Sequence, residues 1–236
     1  MKQEMKNITS TEITETNNIV IGKKDQERFL YLPFNKKDKY FNNGDKYKQF
    51  IKCIERMVRS SKEYSYYVYR LKHEIGLNFC TLFPNITDDD ATIEMHHGPI
   101  FTLFDIVEIV LMWAFKHKQP TNSSNIADLV LEDHKDDIIL VTMLCKAAHI
   151  AVHKNEQKQQ KDPSFFLTGK GSYGNFSAFV DKYIDSMQIN HINKIRAFND
   201  QYESFMKEGK IQEPSVFKGK ISDWMKLYEK GFKNDN

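Results

Sequence analysis

ATIEMHHGP, residues 91–99, is the stretch on which the reading of this chain turns. Its residues alternate enough for a short strand, two adjacent histidines (His96 and His97) close it, and Gly98-Pro99 ends it. A second stretch, LCKAAHIAVHK at 144–154, places His149 and His153 four residues apart. On a helix that spacing turns both rings to one face. The two segments hold four of the eight histidines, and paired imidazoles that can meet one ion point to a divalent-metal site.

The chain between and around these segments reads as mainly helical. Apolar residues recur at helical period from Asp45 to about Gly76, as two helices separated near Ser60-Ser61. Phe101 to His117 is a strongly apolar helix with a core stripe of Leu103, Ile106, Val107, Val110, Leu111 and Ala114, and Asn125 to Asp133 is a shorter one. Ile138 to Thr142 is β-branched and reads as a second strand, and Met143 to about Lys158 returns to helical period. Gly169, Gly171 and Gly174 suit a hairpin better than a phosphate loop, because no Lys-Ser/Thr follows them. Helices are expected at Ser177–Ile189, Ile192–Met206 and Ser222–Phe232, and a short strand around Phe29–Leu32. The expected fold class is α+β and mainly helical. It has a small ββα-metal-like finger, a helical insert between the finger's strands, and C-terminal helices. The divisions are a polar arm at 1–18, a helical region at 19–90, the finger with its insert at 91–160, and a C-terminal helical region at 161–236.

Composition limits the functions available. Phe and Tyr together supply 28 of 236 residues, enough aromatic mass for a large core. The formal charge of +2 gives no global field for a nucleic acid, so any such contact has to be a local patch around Lys146, Lys154, Lys158, Lys161 and Lys170. Three scattered cysteines (Cys53, Cys80 and Cys145) do not make a disulfide framework and fit a reducing cytosol. The longest apolar stretch is interrupted by Asp105 and Glu108 and is too short for a bilayer, so the expectation is a cytoplasmic protein without membrane contact.

IEMHHGP at 93–99 with DDIILVTMLCKAAHIAVH at 136–153 resembles the ββα-metal finger of HNH nucleases. Leu144, Cys145, His149 and His153 match that family's second segment, and the His-His start with an HxxxH finish is the all-histidine variant of the colicin-type nucleases. The run from IEMHHGPIFTLFDIVEIV to YGNFSAFVDKY at 173–183 also resembles small bacteriophage proteins. The resemblance implies hydrolysis of a DNA phosphodiester in the host cytoplasm. His97 would be the general base, and His96, His149 and His153 would hold one divalent ion (Mg, Mn, Ni or Zn). An all-imidazole set favours a borderline transition metal over Mg²⁺.

Two departures weaken the catalytic half of that implication. The family orients its base with an asparagine, whereas this chain offers Asp137 as the nearest substitute, ahead of Asp133 and His134. The four-cysteine zinc of many relatives is not expected, since Phe83 and Ala148 stand where two of the cysteines would be. A strand also turns adjacent side chains to opposite faces, so His96 and His97 converge only if the chain is already bending at Gly98-Pro99. The rival reading is therefore a non-catalytic phage binding or structural protein that keeps the finger as a scaffold. Its partner would be a viral machine or a host enzyme.

Overall fold

The computed structural model describes residues 34–35, 39, 41–157 and 171–208. The expected arm at 1–18, the strand around Phe29–Leu32, Gly169 and the helix at Ser222–Phe232 lie outside the described residues. Seven helices and three strands are present among those described: α1 (Gly44–Ser60), α2 (Lys62–His73), β1 (Ile93–His97), α3 (Leu103–Lys116), α4 (Ser123–Lys135), β2 (Val141–Cys145), α5 (Lys146–Gln157), β3 (Ser172–Tyr173), α6 (Phe176–Tyr183) and α7 (Ile189–Lys207). The protein is α+β and mainly helical. No described helix is long and apolar enough to cross a membrane.

Caps place the helix boundaries. Ser61 both separates α1 from α2 and caps α2, its Oγ accepting the Tyr64 N–H at 3.0 Å. Thr102 and Asp105 form a reciprocal capping box at the start of α3. α3 is buried on nearly all sides, including Asp105 and Glu108, so it is the central helix and not a surface one. Its two buried carboxylates are matched by partners from other elements. Lys194 Nζ donates to Asp105 Oδ1 at 2.6 Å, while Tyr47 OH and His191 Nε2 reach Glu108 at 2.8 and 3.1 Å. These bonds fix α7 and α1 against α3 without leaving a buried charge unpaired.

The sheet has the order β1-β2-β3 and is antiparallel throughout. β1 pairs with β2 in a register that sets Ile93 opposite Cys145 and His97 opposite Val141. α3 and α4 leave the sheet after β1 and return to it at β2, so the finger does carry a helical insert. The second strand lies at 141–145 instead of 138–142, and α5 starts at Lys146 instead of Met143. Residues 138–145 are apolar almost throughout, and such a run carries no periodic mark of where a strand buried along its whole length begins. α5 follows β2 with no connecting loop, and the Lys146 N–H bonds the Thr92 carbonyl at 3.1 Å. The acidic run 88–90 is part of the same construction: Asp88 Oδ1 accepts the Ile93 N–H and the Lys72 ammonium, which secures the entry to β1.

Candidate metal centre

β1 remains a regular strand through His97, and its alternation decides the site. Glu94 and His96 share one face, while Ile93, Met95 and His97 share the other. α5 covers the first face. There the His96, His149 and His153 rings meet, with centroid separations of 5.1 Å (His96–His149), 5.1 Å (His96–His153) and 4.6 Å (His149–His153). One nitrogen from each of the three lies within 4.8 Å of the others. His149 Nε2 and His153 Nε2 are 3.0 Å apart, close to the roughly 3–3.5 Å spacing of two nitrogens that each bind one ion at about 2.1 Å. His96 is buried, His149 half-buried and His153 exposed, so the site opens on one side.

Glu94 completes this arrangement, and the sequence reading missed it. Its Oε2 lies 2.6 Å from His149 Nδ1, so Nδ1 carries the proton and Nε2 presents its lone pair to the other two rings. The signal was available: Glu94 is two residues before His96 on a strand, and therefore on the same face. Gly98 belongs to the site for a different reason. A Cβ there would come within 2.8 Å of His96 Nε2, so a side chain would displace the ring. Replacing Glu94 by Ala is expected to weaken Co²⁺ or Ni²⁺ binding about 10- to 100-fold while leaving the fold intact. Titration calorimetry checks it, and an unchanged affinity would show that His149 needs no orienting partner.

The expected convergence of all four histidines does not occur. His97 points through the opposite face of β1 into the interior, where its Nε2 lies 3.0 Å from His134 Nε2. Tyr64 stacks on the His97 ring, and Tyr64 and Tyr67 both meet His134 edge-on. The bonding direction follows from His134: its Nδ1 is 2.7 Å from the Val130 carbonyl and must donate, so its Nε2 accepts and His97 Nε2 donates. His97 Nδ1 is left as a buried acceptor with no hydrogen-bond partner. The residue that orients His97 is thus His134, which the sequence reading ranked below Asp137. Asp137 instead forms an ion pair with Arg70 and accepts the Tyr173 hydroxyl at 2.9 Å. It sits in the left-handed region at φ 57° at the entry to β2, where it joins α2 to β3.

Burial depresses both imidazoles of this inner pair. His134 is pushed down to about 4, mainly by desolvation, and His97 lies well below its ordinary value for the same reason, with His134 and Arg59 adding to it. A base whose pKa is lowered by folding takes up protons more readily when unfolded, so stability rises with pH between the two values. We expect the melting temperature, measured with a chelator present, to fall as pH drops from about 6.5 towards 4. A variant with leucine at both His97 and His134 should lose most of that slope. An equal slope in the variant would assign the acid sensitivity to other groups.

A family model described as the bacteriophage G278-like virion protein matches residues 1–229. The chain belongs to that family. Comparison with curated proteins and with solved structures gives no match. Membership agrees with the phage resemblance of the sequence and describes a component of the virus particle; it does not describe a nuclease.

Proposed function

We propose that this protein is a non-catalytic structural component of the phage particle, and that one transition-metal ion on His96, His149 and His153 fastens its ββα finger. The observation that supports this reading is the separation of the four histidines by β1. Three form a set suited to an ion, and the fourth is built into the core. Three imidazoles fit a borderline ion such as Zn²⁺, Ni²⁺ or Co²⁺ better than Mg²⁺. An ion there would tie β1 to α5 and close the finger from its open side, adding stability in proportion to its affinity. A general base has to reach a water beside the reacting phosphate. His97 is buried, faces His134 and resists protonation, which suits packing better than proton transfer.

The nuclease reading retains one supporting feature, the exposed side of the triad at His153, where a phosphate oxygen has room to approach. Plasmid incubation with Mg²⁺, Mn²⁺, Ni²⁺ or Zn²⁺, run beside a metal titration, separates the two readings. We expect metal binding without nicking. Nicking that disappears in both His149→Ala and His97→Ala would restore a hydrolase with DNA as its partner.

A further inference from the structure

Helices α1, α2 and α4 enclose an open groove of about 860 Å³. Glu63, Tyr66, Tyr67 and Arg70 form its α2 wall, at the i, i+3, i+4, i+7 spacing of one helix face. The α4 wall repeats that spacing with Asp128, Leu131, Glu132 and Lys135. The apolar lining lies deep, since Tyr67 and Ala127 are buried and Met57 and Leu131 are half-buried. Charged groups stand at the mouth, and they do not cancel. Arg70 is already neutralised by its ion pair with Asp137. Glu63, Asp128 and Glu132 are exposed and form no ion pair among the described residues, which leaves three carboxylates against Lys135. A second observation marks the same place. Tyr66 is 59% exposed and Tyr69 53%, and their rings stack on the outside of α2 with centroids 6.4 Å apart. Exposed paired rings beside an apolar groove are the kind of surface that protein interfaces cover, and tyrosine is a frequent anchor there.

We propose that this groove seats a basic amphipathic helix of another protein of the phage particle. Each wall runs for two helical turns, roughly 10 Å, so a helical partner can lay its own i, i+3, i+4, i+7 row between them. The partner's apolar side chains would enter against Met57 and Leu131. Its flanking Lys or Arg side chains would meet Glu63, Asp128 and Glu132, with one cation against the exposed Tyr66 ring. The same carboxylates repel an acidic partner and the phosphates of a nucleic acid. Membership of a virion protein family supplies the setting in which such a partner is at hand. The groove is lined by α1, α2 and α4 and uses none of the triad, so the proposal stands whether or not the finger holds an ion.

The test is fluorescence anisotropy on the full-length chain with a labelled helical peptide of Leu, Lys and Ala, its leucines at i, i+3, i+4 and i+7. The same peptide with every Lys replaced by Glu is run beside it. The Lys peptide should bind at least about tenfold more tightly than the Glu peptide, and added salt should weaken it. Asp128→Lys combined with Glu132→Lys should cost about tenfold or more in affinity for the Lys peptide, and Tyr66→Ala about threefold or more. Asp200→Lys combined with Glu203→Lys makes the same change of charge on exposed residues of α7 and should alter the affinity by less than about twofold. No binding of the Lys peptide, equal affinity for the two peptides, equal losses from the two double variants, or full binding by Tyr66→Ala would each overturn the proposal.

Discussion

His149→Ala is expected to reduce transition-metal affinity by at least about 100-fold, more than the loss expected on removing the Glu94 carboxylate that orients it. His149 is the hinge of the triad: its Nε2 stands 3.0 Å from that of His153, its ring meets His96, and its Nδ1 is held by Glu94. Removing it leaves His96 and His153, whose rings still meet at 5.1 Å, as two ligands in place of three. Isothermal titration with Ni²⁺ or Zn²⁺ reads the loss directly. His73→Ala is the control, because that ring is exposed on α2 and packs against Tyr69. If both variants lose affinity equally, or if neither does, the three imidazoles are not the ion's ligands. A thermal shift supports the same measurement: metal should raise the melting temperature of the native chain and leave that of His149→Ala almost unchanged.

Asp133→Ala should destabilise the fold by about 3 kcal/mol. The Asp133 side chain is fully buried on α4, where it accepts the Tyr183 hydroxyl at 2.6 Å and the Lys182 ammonium at 2.7 Å from α6. Lys182 keeps about a third of its side chain in water and can turn outward, so losing its partner costs little. Tyr183 has no such escape: its ring is buried against Phe179 and Trp113, and the hydroxyl would lose its acceptor in the interior. Asp133→Asn, which keeps an acceptor oxygen, should recover more than half of the loss. Urea denaturation reads both as shifts of the midpoint at constant slope. A cost below about 1 kcal/mol for Asp133→Ala would mean that the interior there relaxes around the unpaired hydroxyl.

Much of this arrangement was legible in the residues. The apolar stripe of α3 and the i, i+4 histidines of α5 follow from helical period, which is a local property of the chain. The boundary at Ser60-Ser61 was visible as well, because a serine cap announces itself in sequence. The start of β2 was not legible, since an apolar run buried on all sides has no polar residue to mark its register. The division of labour between His96 and His97 was half legible. Strand alternation gives opposite faces, and the expectation that Gly98-Pro99 would bend the strand early ran against it; β1 stays straight to His97 and the two rings part.

What lies on the far side of each face was not in the sequence. His134 comes from the end of α4 and Tyr64 from α2, so the burial of His97 depends on how the inserted helices pack back against the sheet. The same packing draws Asp137 to Arg70 and Tyr173, away from any imidazole. By itself the sequence determined a mainly helical α+β chain, a strand and a helix that each carry a histidine pair, and an affinity with phage proteins. The family resemblance already set His96, His149 and His153 apart from His97; tertiary structure alone decided that His97 is core, facing His134 and not the other three rings. Period and spacing act over a few residues, whereas a ligand set or a buried pair is a contact between elements whose relative placement is fixed only when the whole interior closes.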